Sequence, residues 1–207
     1  MTIRRFAEWG RLIDRPKTVK HCESDAQVAS IAADYQSRGE PIPHIHVTNG
    51  SLALALGAAS GLSSAQVREL PLDLLHISYR TADGIQHAAT AANSVVMRRR
   101  LWIGEIVAVT NSGYWKSWEI APRAHPNDGV FDVVEVSVDM SWRQRLLAWR
   151  RLPLGAHIPH SSVAIRRSGS DSWKFAKPID LYMDEEFVGR ATCVQITIEA
   201  DALNILI

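Results

Sequence analysis

Three acids in a row, Asp184-Glu185-Glu186, stand near the end of this 207-residue chain. Paired carboxylates can take a proton from a hydroxyl within hydrogen-bond reach. The competing reading is three solvated acids at a β-turn. Pro126-Asn127-Asp128-Gly129 is a turn sequence. Pro sets φ, Asn and Asp bond their own backbone, and Gly allows positive φ. Such a turn converges carbonyl oxygens beside a carboxylate, an oxygen set suited to Mg²⁺; without an ion it is a plain hairpin turn. His44 and His46 alternate along a strand candidate and share one face. They form a two-ligand pair with no third ligand at a supporting spacing, so metal binding is not expected there.

Residues 140–170 carry Arg143, Arg145, Arg150, Arg151, Arg166 and Arg167 and no Asp or Glu, a local charge of +6. Within 142–152, Trp142, Leu146 and Trp149 fall at i, i+4 and i+7, so one helix face is apolar and arginines fill much of the rest. A basic amphipathic helix with tryptophans can lie on anionic lipid. Arg143, Arg145, Arg150 and Arg151 are the residues such a surface would meet, with Arg98-Arg99-Arg100 as an addition. The plainer expectation is that this helix packs on its own core with its arginines in solvent. Trp102, Trp115 and Trp118 precede the turn; core packing explains them first and a ligand cleft second.

The bulk numbers suit one domain or two small ones. Hydrophobic residues make up 46% and charged residues 22% of the chain, and the net charge is +1. No global field draws it to nucleic acid, for which no motif appears either. The apolar run 52–62 is far too short to span a bilayer. Met1 to Phe6 is followed by no apolar stretch of the signal-peptide kind. Cys22 and Cys193 lack metal-type spacing and argue for a reducing, cytoplasmic setting.

Several elements must position these residues. Ser24-Asp25 is an N-cap for a helix over 24–38, with apolar residues at Val28, Ile31, Ala32 and Tyr35 and a stop at Gly39. A strand over 42–47, a turn at Thr48-Asn49-Gly50 and a helix over 51–58 make an α/β-like unit. From residue 72 onward the chain changes character. Runs 74–80 and 85–92 flank Ala82-Asp83-Gly84, a hairpin signal. Strands are expected at 103–110, 131–138, 162–166, 179–183 and 194–199. One helix interrupts at 142–152 and Pro153 ends it. Many short strands between turn signals imply a sandwich or barrel.

The stretch Ala121-Pro122-Arg123-Ala124-His125-Pro126-Asn127-Asp128-Gly129-Val130-Phe131-Asp132-Val133-Val134 resembles the "aP-x-A-x-p-x-DG-x-lDvv" signature of bacterial diacylglycerol kinases and related YegS-like lipid kinases. Other landmarks follow in order. Residues 106–111 match the family's strand ending in Asn. Residues 150–157 match its "R-x-L-P-x-G-x-H" turn. Asp184-Glu185-Glu186 followed by Gly189-Arg190-Ala191 matches its "DGE" and "G-x-a". The resemblance covers 101–207 well and 42–57 weakly. It implies an α+β, predominantly β protein. A C-terminal β-sandwich over 62–207 would follow a reduced α/β segment over 1–61. It also implies a structural Mg²⁺ held by the Asp128 side chain and the main-chain oxygens of His125 and Val130. Asp184 and Glu186 would serve the attack of a lipid hydroxyl on a γ-phosphate. Here Glu185 replaces the intervening glycine, which changes the allowed φ and adds negative charge.

Phosphoryl transfer is mostly positioning and charge stabilisation, and it demands a phosphate cradle. The family's "GGDGT" loop has no counterpart with glycines in this chain, which argues against ATP as a cofactor. Its second loop, "GT-x-ND-x-A-R-x-LG", survives as a relic over 47–57, with Thr48, Asn49 and Gly50 at the turn. Scaffold residues stay and polar ones go. Three functions remain open. The first is a catalytically impaired lipid-kinase homologue that binds lipid, an anionic membrane surface or a partner. The second is a working ATP-dependent lipid kinase. The third is a structural or homo-oligomeric module.

Overall fold

The computed structural model describes residues 9–58, 61–62, 64–99, 102, 104–152 and 160–207. The chain begins with β1 (Arg11–Asp14), β2 (Lys20–Cys22), α1 (Asp25–Ser37), β3 (Ile45–Val47) and α2 (Ser51–Leu56). It continues through β4 (Gln66–Thr81), β5 (Gln86–Ala91), β6 (Ser94–Arg98), β7 (Ile106–Thr110), β8 (Tyr114–Trp115), β9 (Trp118–Glu119) and β10 (Phe131–Val136). Then come α3 (Trp142–Arg151), β11 (Val163–Ser168), β12 (Ser170–Met183) and β13 (Glu186–Leu206). The protein is predominantly β. Eleven strands join one sheet in the order β1-β4-β13-β12-β6-β7-β10-β11, with β5 on β4, β3 on β13 and β2 on β3. β8 and β9 form a separate hairpin.

β4 and β13 hold the molecule together because each is long enough to serve two cores. The first half of β4 supplies Leu70, Leu72 and Leu74, and the end of β13 supplies Leu203 and Ile205. These pack with Val28 and Ala32 of α1, Ile45 and Val47 of β3, and Leu52 of α2. The second half of β4 and the first half of β13 place Leu75, Ile77, Val194 and Ile196 in the sandwich core. The α/β unit therefore draws on strands well beyond residue 61, and β3 joins β13 in parallel at Ile45 and Ile205.

Between its two halves β13 shifts register at Glu199/Leu203, with Asp201 at φ 57°. The partner strand carries Asp73 at this corner. Its buried carboxylate accepts from the Asp201 N–H at 2.9 Å and the Gly129 N–H at 2.8 Å. The signature turn thus wraps an internal carboxylate, and its glycine amide satisfies part of that burial.

Strands β6, β7 and β10 are buried on both faces. Val95, Met97, Val107, Val109 and Val133 enter the sandwich core. Val96, Ala108 and Val134, each one residue out of phase, form a second apolar surface on the opposite face. That surface, the β8–β9 hairpin and α3 enclose the site described below. α3 starts at a capping box in which the Ser141 hydroxyl accepts from Gln144 N–H and the Gln144 side chain accepts from Ser141 N–H. It does not pack on the sandwich as expected. None of its residues is buried, and Trp142 and Trp149 are 70% and 53% exposed. Sequence reading also missed β1, β2, β6, β8, β9 and the first halves of β4 and β12. β1, β2, β8 and β9 are runs of two to four residues and the start of β12 is polar, so pairing partners fix them; Ser94 to Arg98 of β6 is apolar enough to have been read as a strand. Pro153, Gly155 and His157 lie outside the described residues, as do Met1 to Phe6, Arg100 and Ile103.

Candidate functional site: an acid cluster beside an apolar cavity

Met183 pairs with Glu186, so Asp184 and Glu185 are the two central residues of a tight β12–β13 hairpin turn. Their φ values are 45° and 74°, the left-handed pattern such turns require. The Asp184 carboxylate is buried and accepts three backbone N–H groups, from Ala92 at 2.7 Å and from Asn93 and Ser94 at 2.9 Å. Burial raises its pKa to about 6 against the lowering effect of these amides. Its acceptors are committed to holding the β5–β6 turn. Glu186 is exposed at the start of β13. Of the two acids that the resemblance pairs, the structure buries Asp184 and exposes Glu186.

Glu185 turns inward instead. Its Oε1 accepts from the Ser51 hydroxyl at 2.8 Å and from the Lys116 N–H at 3.1 Å. Asp25 completes the cluster from the α/β unit. It lies at the start of α1, 2% exposed, and its carboxylate accepts the Leu52 N–H at 3.1 and 3.2 Å. Burial raises its pKa to about 8, and Asp184 and Glu185 push in the same direction. Sequence reading passed over Asp25 as part of a helix cap. Its one signal was position, an acid directly after a short strand and before a helix.

The relic loop borders this cluster. Thr48 Oγ1 donates to the Cys22 carbonyl at 3.2 Å, and the Gly50 N–H donates to Asn49 Oδ1 at 2.9 Å. Gly50 has φ 100°, and a Cβ there would collide with Asp25 Oδ1. An anion seeking the first amides of α2 meets the Asp25 carboxylate already in place.

The implied Mg²⁺ ligands fit poorly. The Asp128 carboxylate pairs with the Arg167 guanidinium and accepts the Val130 N–H at 3.2 Å. An arginine beside it already supplies the positive charge a cation would bring. His125 uses Nδ1 to accept the Asn127 N–H at 3.2 Å. Among the described residues no group of three or more His, Cys, Asp and Glu could hold a metal. His44 and His46 do not converge. His44 Nε2 lies 2.7 Å from Glu69 Oε1, while the His46 ring is buried without a hydrogen-bond partner among the described residues. Desolvation lowers the His46 pKa, helped by His21 and Arg15.

Next to Glu185 and Lys116 opens a cavity of about 650 Å³. Its floor is the outer face of the sheet: Val96, Ala108 and Val134. Trp102, Trp115 and Trp118 line the wall, with ring centroids 5.1 to 6.4 Å apart. The roof is α3, through Trp142, Leu146 and Trp149. This explains the i, i+4, i+7 stripe: it faces the apolar cavity, and Trp149 meets the Trp118 ring edge-on at 6.1 Å. Arg145 clips the roof down. Its guanidinium donates to the carbonyls of Met140, Trp102, Gly104 and Ser137 at 2.6 to 3.1 Å. Arg145 thus leaves the set of arginines that could meet a membrane; Arg143, Arg150 and Arg151 remain. Among the described residues no helix is long and apolar enough to cross a membrane.

The fold is similar to known kinases. A diacylglycerol kinase structure from Bacillus anthracis str. Sterne aligns over 90% of this chain and 74% of its own, at 13% identity and a TM-score of 0.52. Another structure from that organism, named a diacylglycerol kinase provisionally, aligns over 90% and 76% at 11% identity and a TM-score of 0.58. Yeast NADH kinase complexed with NADH aligns over 91% of this chain and 60% of its own, at 12% identity and a TM-score of 0.52. At these identities the likeness is one of fold. No curated protein matches the chain. Residues 81–207, more than half of the chain, match the family of the YegS C-terminal NAD kinase beta sandwich-like domain, and the chain belongs to that family.

Proposed function

We propose that this protein is a diacylglycerol-kinase-like lipid-binding module that holds an acyl chain in the cavity under α3. The carrying observation is the cavity itself. At about 650 Å³ it falls in the roughly 300–1,000 Å³ range of small-molecule sites. It is walled by tryptophans and β-branched residues and also lined by Arg98, Lys116, Tyr182 and Glu185. The test is a titration with a brominated monoacylglycerol, since bromine quenches nearby indoles. Saturable quenching is expected, and Ala148→Trp, which fills the cavity from the roof, should abolish it. Absence of saturable quenching in the wild-type protein would overturn the reading.

A second reading, ATP-dependent phosphorylation of a lipid hydroxyl, draws on the acids beside the cavity. Asp25, with its pKa at about 8, has the basicity of a general base near neutral pH. Against it, Asp25 occupies the first amides of α2, and no glycine-rich loop is present to cradle phosphates. Phosphate transfer from ATP to a lipid that Asp25→Asn abolishes would promote this reading over the first.

A further inference from the structure

The polar groups lining the cavity are unbalanced. Arg98 lies between two rings, its guanidinium carbon 4.3 Å from the Trp102 centroid and 4.5 Å from that of Tyr182. It donates to the Tyr182 hydroxyl at 2.7 Å and to the Arg99 carbonyl at 3.3 Å, both neutral acceptors. Its Nε–H has no acceptor among the described residues. Nor does the indole N–H of Trp115, a residue only 5% exposed. Both residues line the cavity. Lys116 sits at the rim, its ammonium 5.2 Å from the Trp115 centroid. Three cations, Arg98, Lys116 and Arg145, line this space against one carboxylate, Glu185, whose Oε1 is turned to Ser51 and Lys116.

Unpaired buried donors are rare in folded proteins, and both of these belong to side chains that line the cavity. A guanidinium stacked between aromatic rings is held ready for a planar or tetrahedral oxyanion. The rest of the lining is apolar and suits a hydrocarbon tail. We infer that the cavity selects a single-chain amphiphile with an anionic oxygen head, a fatty-acid carboxylate or an acyl phosphate monoester, over a neutral acylglycerol. The head lies by Arg98 and the Trp115 indole, and the tail runs under α3 across Val96, Ala108 and Val134. This deepens the lipid-binding proposal and rests on it.

The test uses the full chain and intrinsic tryptophan fluorescence. Oleate, oleoyl lysophosphatidate and monoolein carry the same tail on a carboxylate, a phosphate and a neutral head. All are titrated below their micelle-forming concentrations. At least one anionic ligand should bind ten or more times tighter than monoolein, and which one does so separates the two heads. Arg98→Gln should erase that preference, and Arg98→Lys should restore part of it. Equal affinity for all three, or a preference that survives Arg98→Gln, overturns the inference and leaves lipid binding standing. No binding of any of the three removes lipid binding as well. The comparison among ligands needs only the wild-type protein, so it decides the matter even where a variant folds poorly.

Discussion

The Ser51 hydroxyl donates to Glu185 Oε1 at 2.8 Å, joining the α/β unit to a hairpin tip of the sandwich 134 residues later in the chain. Glu185 makes this bond from φ 74°, where a side chain costs about 1–2 kcal/mol relative to glycine. The bonds to Ser51 and Lys116 offset that strain. Glu185→Ala keeps the strained φ and loses both bonds; Glu185→Gly loses the bonds and the strain together. The glycine variant should therefore be more stable than the alanine variant by about 1 kcal/mol, even after its greater unfolded-state entropy. Urea denaturation checks the order; equal midpoints would show that the turn is not strained.

Asp25 sets a pH dependence. Its folded pKa is raised to about 8 from an ordinary carboxylate value near 3.8. Between these values the folded state holds a proton that the unfolded state releases. Stability should therefore fall as pH rises from about 4 to 8, by up to about 1.4 kcal/mol per pH unit. Asp184, raised to about 6, adds a slope of the same sign over the narrower window from about 4 to 6. Asn at position 25 can still accept the Leu52 N–H and carries no charge. Asp25→Asn should flatten the slope and stabilise the protein at pH 8. A steeper slope, or a loss of stability at pH 8, would contradict the burial argument.

Arg145 fastens α3 through four carbonyls. Arg145→Met removes every one of these bonds and should cost about 1–3 kcal/mol of stability. The loss should concentrate in the roof. Hydrogen exchange would rise across 142–151 and stay unchanged in β12 and β13. Uniform acceleration would mean that the clip serves the whole fold.

Arg143, Arg150 and Arg151 project from a helix whose Trp142 and Leu147 are 70% and 49% exposed. Each arginine near an anionic surface contributes about 1 kcal/mol, and salt weakens it. Vesicles rich in phosphatidylglycerol should bind the protein reversibly at low salt, and neutral vesicles should not. Replacing the three arginines by glutamine should abolish co-sedimentation. Binding that survives the triple change would assign membrane contact elsewhere.

ATP with Mg²⁺ should leave the melting temperature unchanged, because Asp25 already occupies the first amides of α2. A nucleotide present at 100 times its Kd would add roughly 2.7 kcal/mol. A stabilisation of that size would move the phosphoryl-transfer reading ahead.

Local patterns in the sequence carried the family and most of the elements. Ser24 and Ser141 cap helices as their types dictate, and the signature turn at 126–129 forms where Pro, Asn, Asp and Gly demand one. The stripe Trp142, Leu146, Trp149 announced one apolar helix face. It did not say what the face meets, because periodicity encodes direction and not the occupant of the space beyond. Only the tertiary structure decided that this space is a cavity, since its walls come from β6, β7, β8, β9, β10 and α3. The acids show the same division. Asp184 and Glu186 look equivalent in the chain, yet a two-residue turn buries one under three amides and leaves the other in solvent. Asp25 and Glu185 approach each other through the start of α2 from opposite ends of the sequence, and no spacing rule reaches that far. Residue types and short spacings determine local conformation; long-range pairing along β4 and β13 determines which charges share a low-dielectric space, and so which of them can act on a ligand.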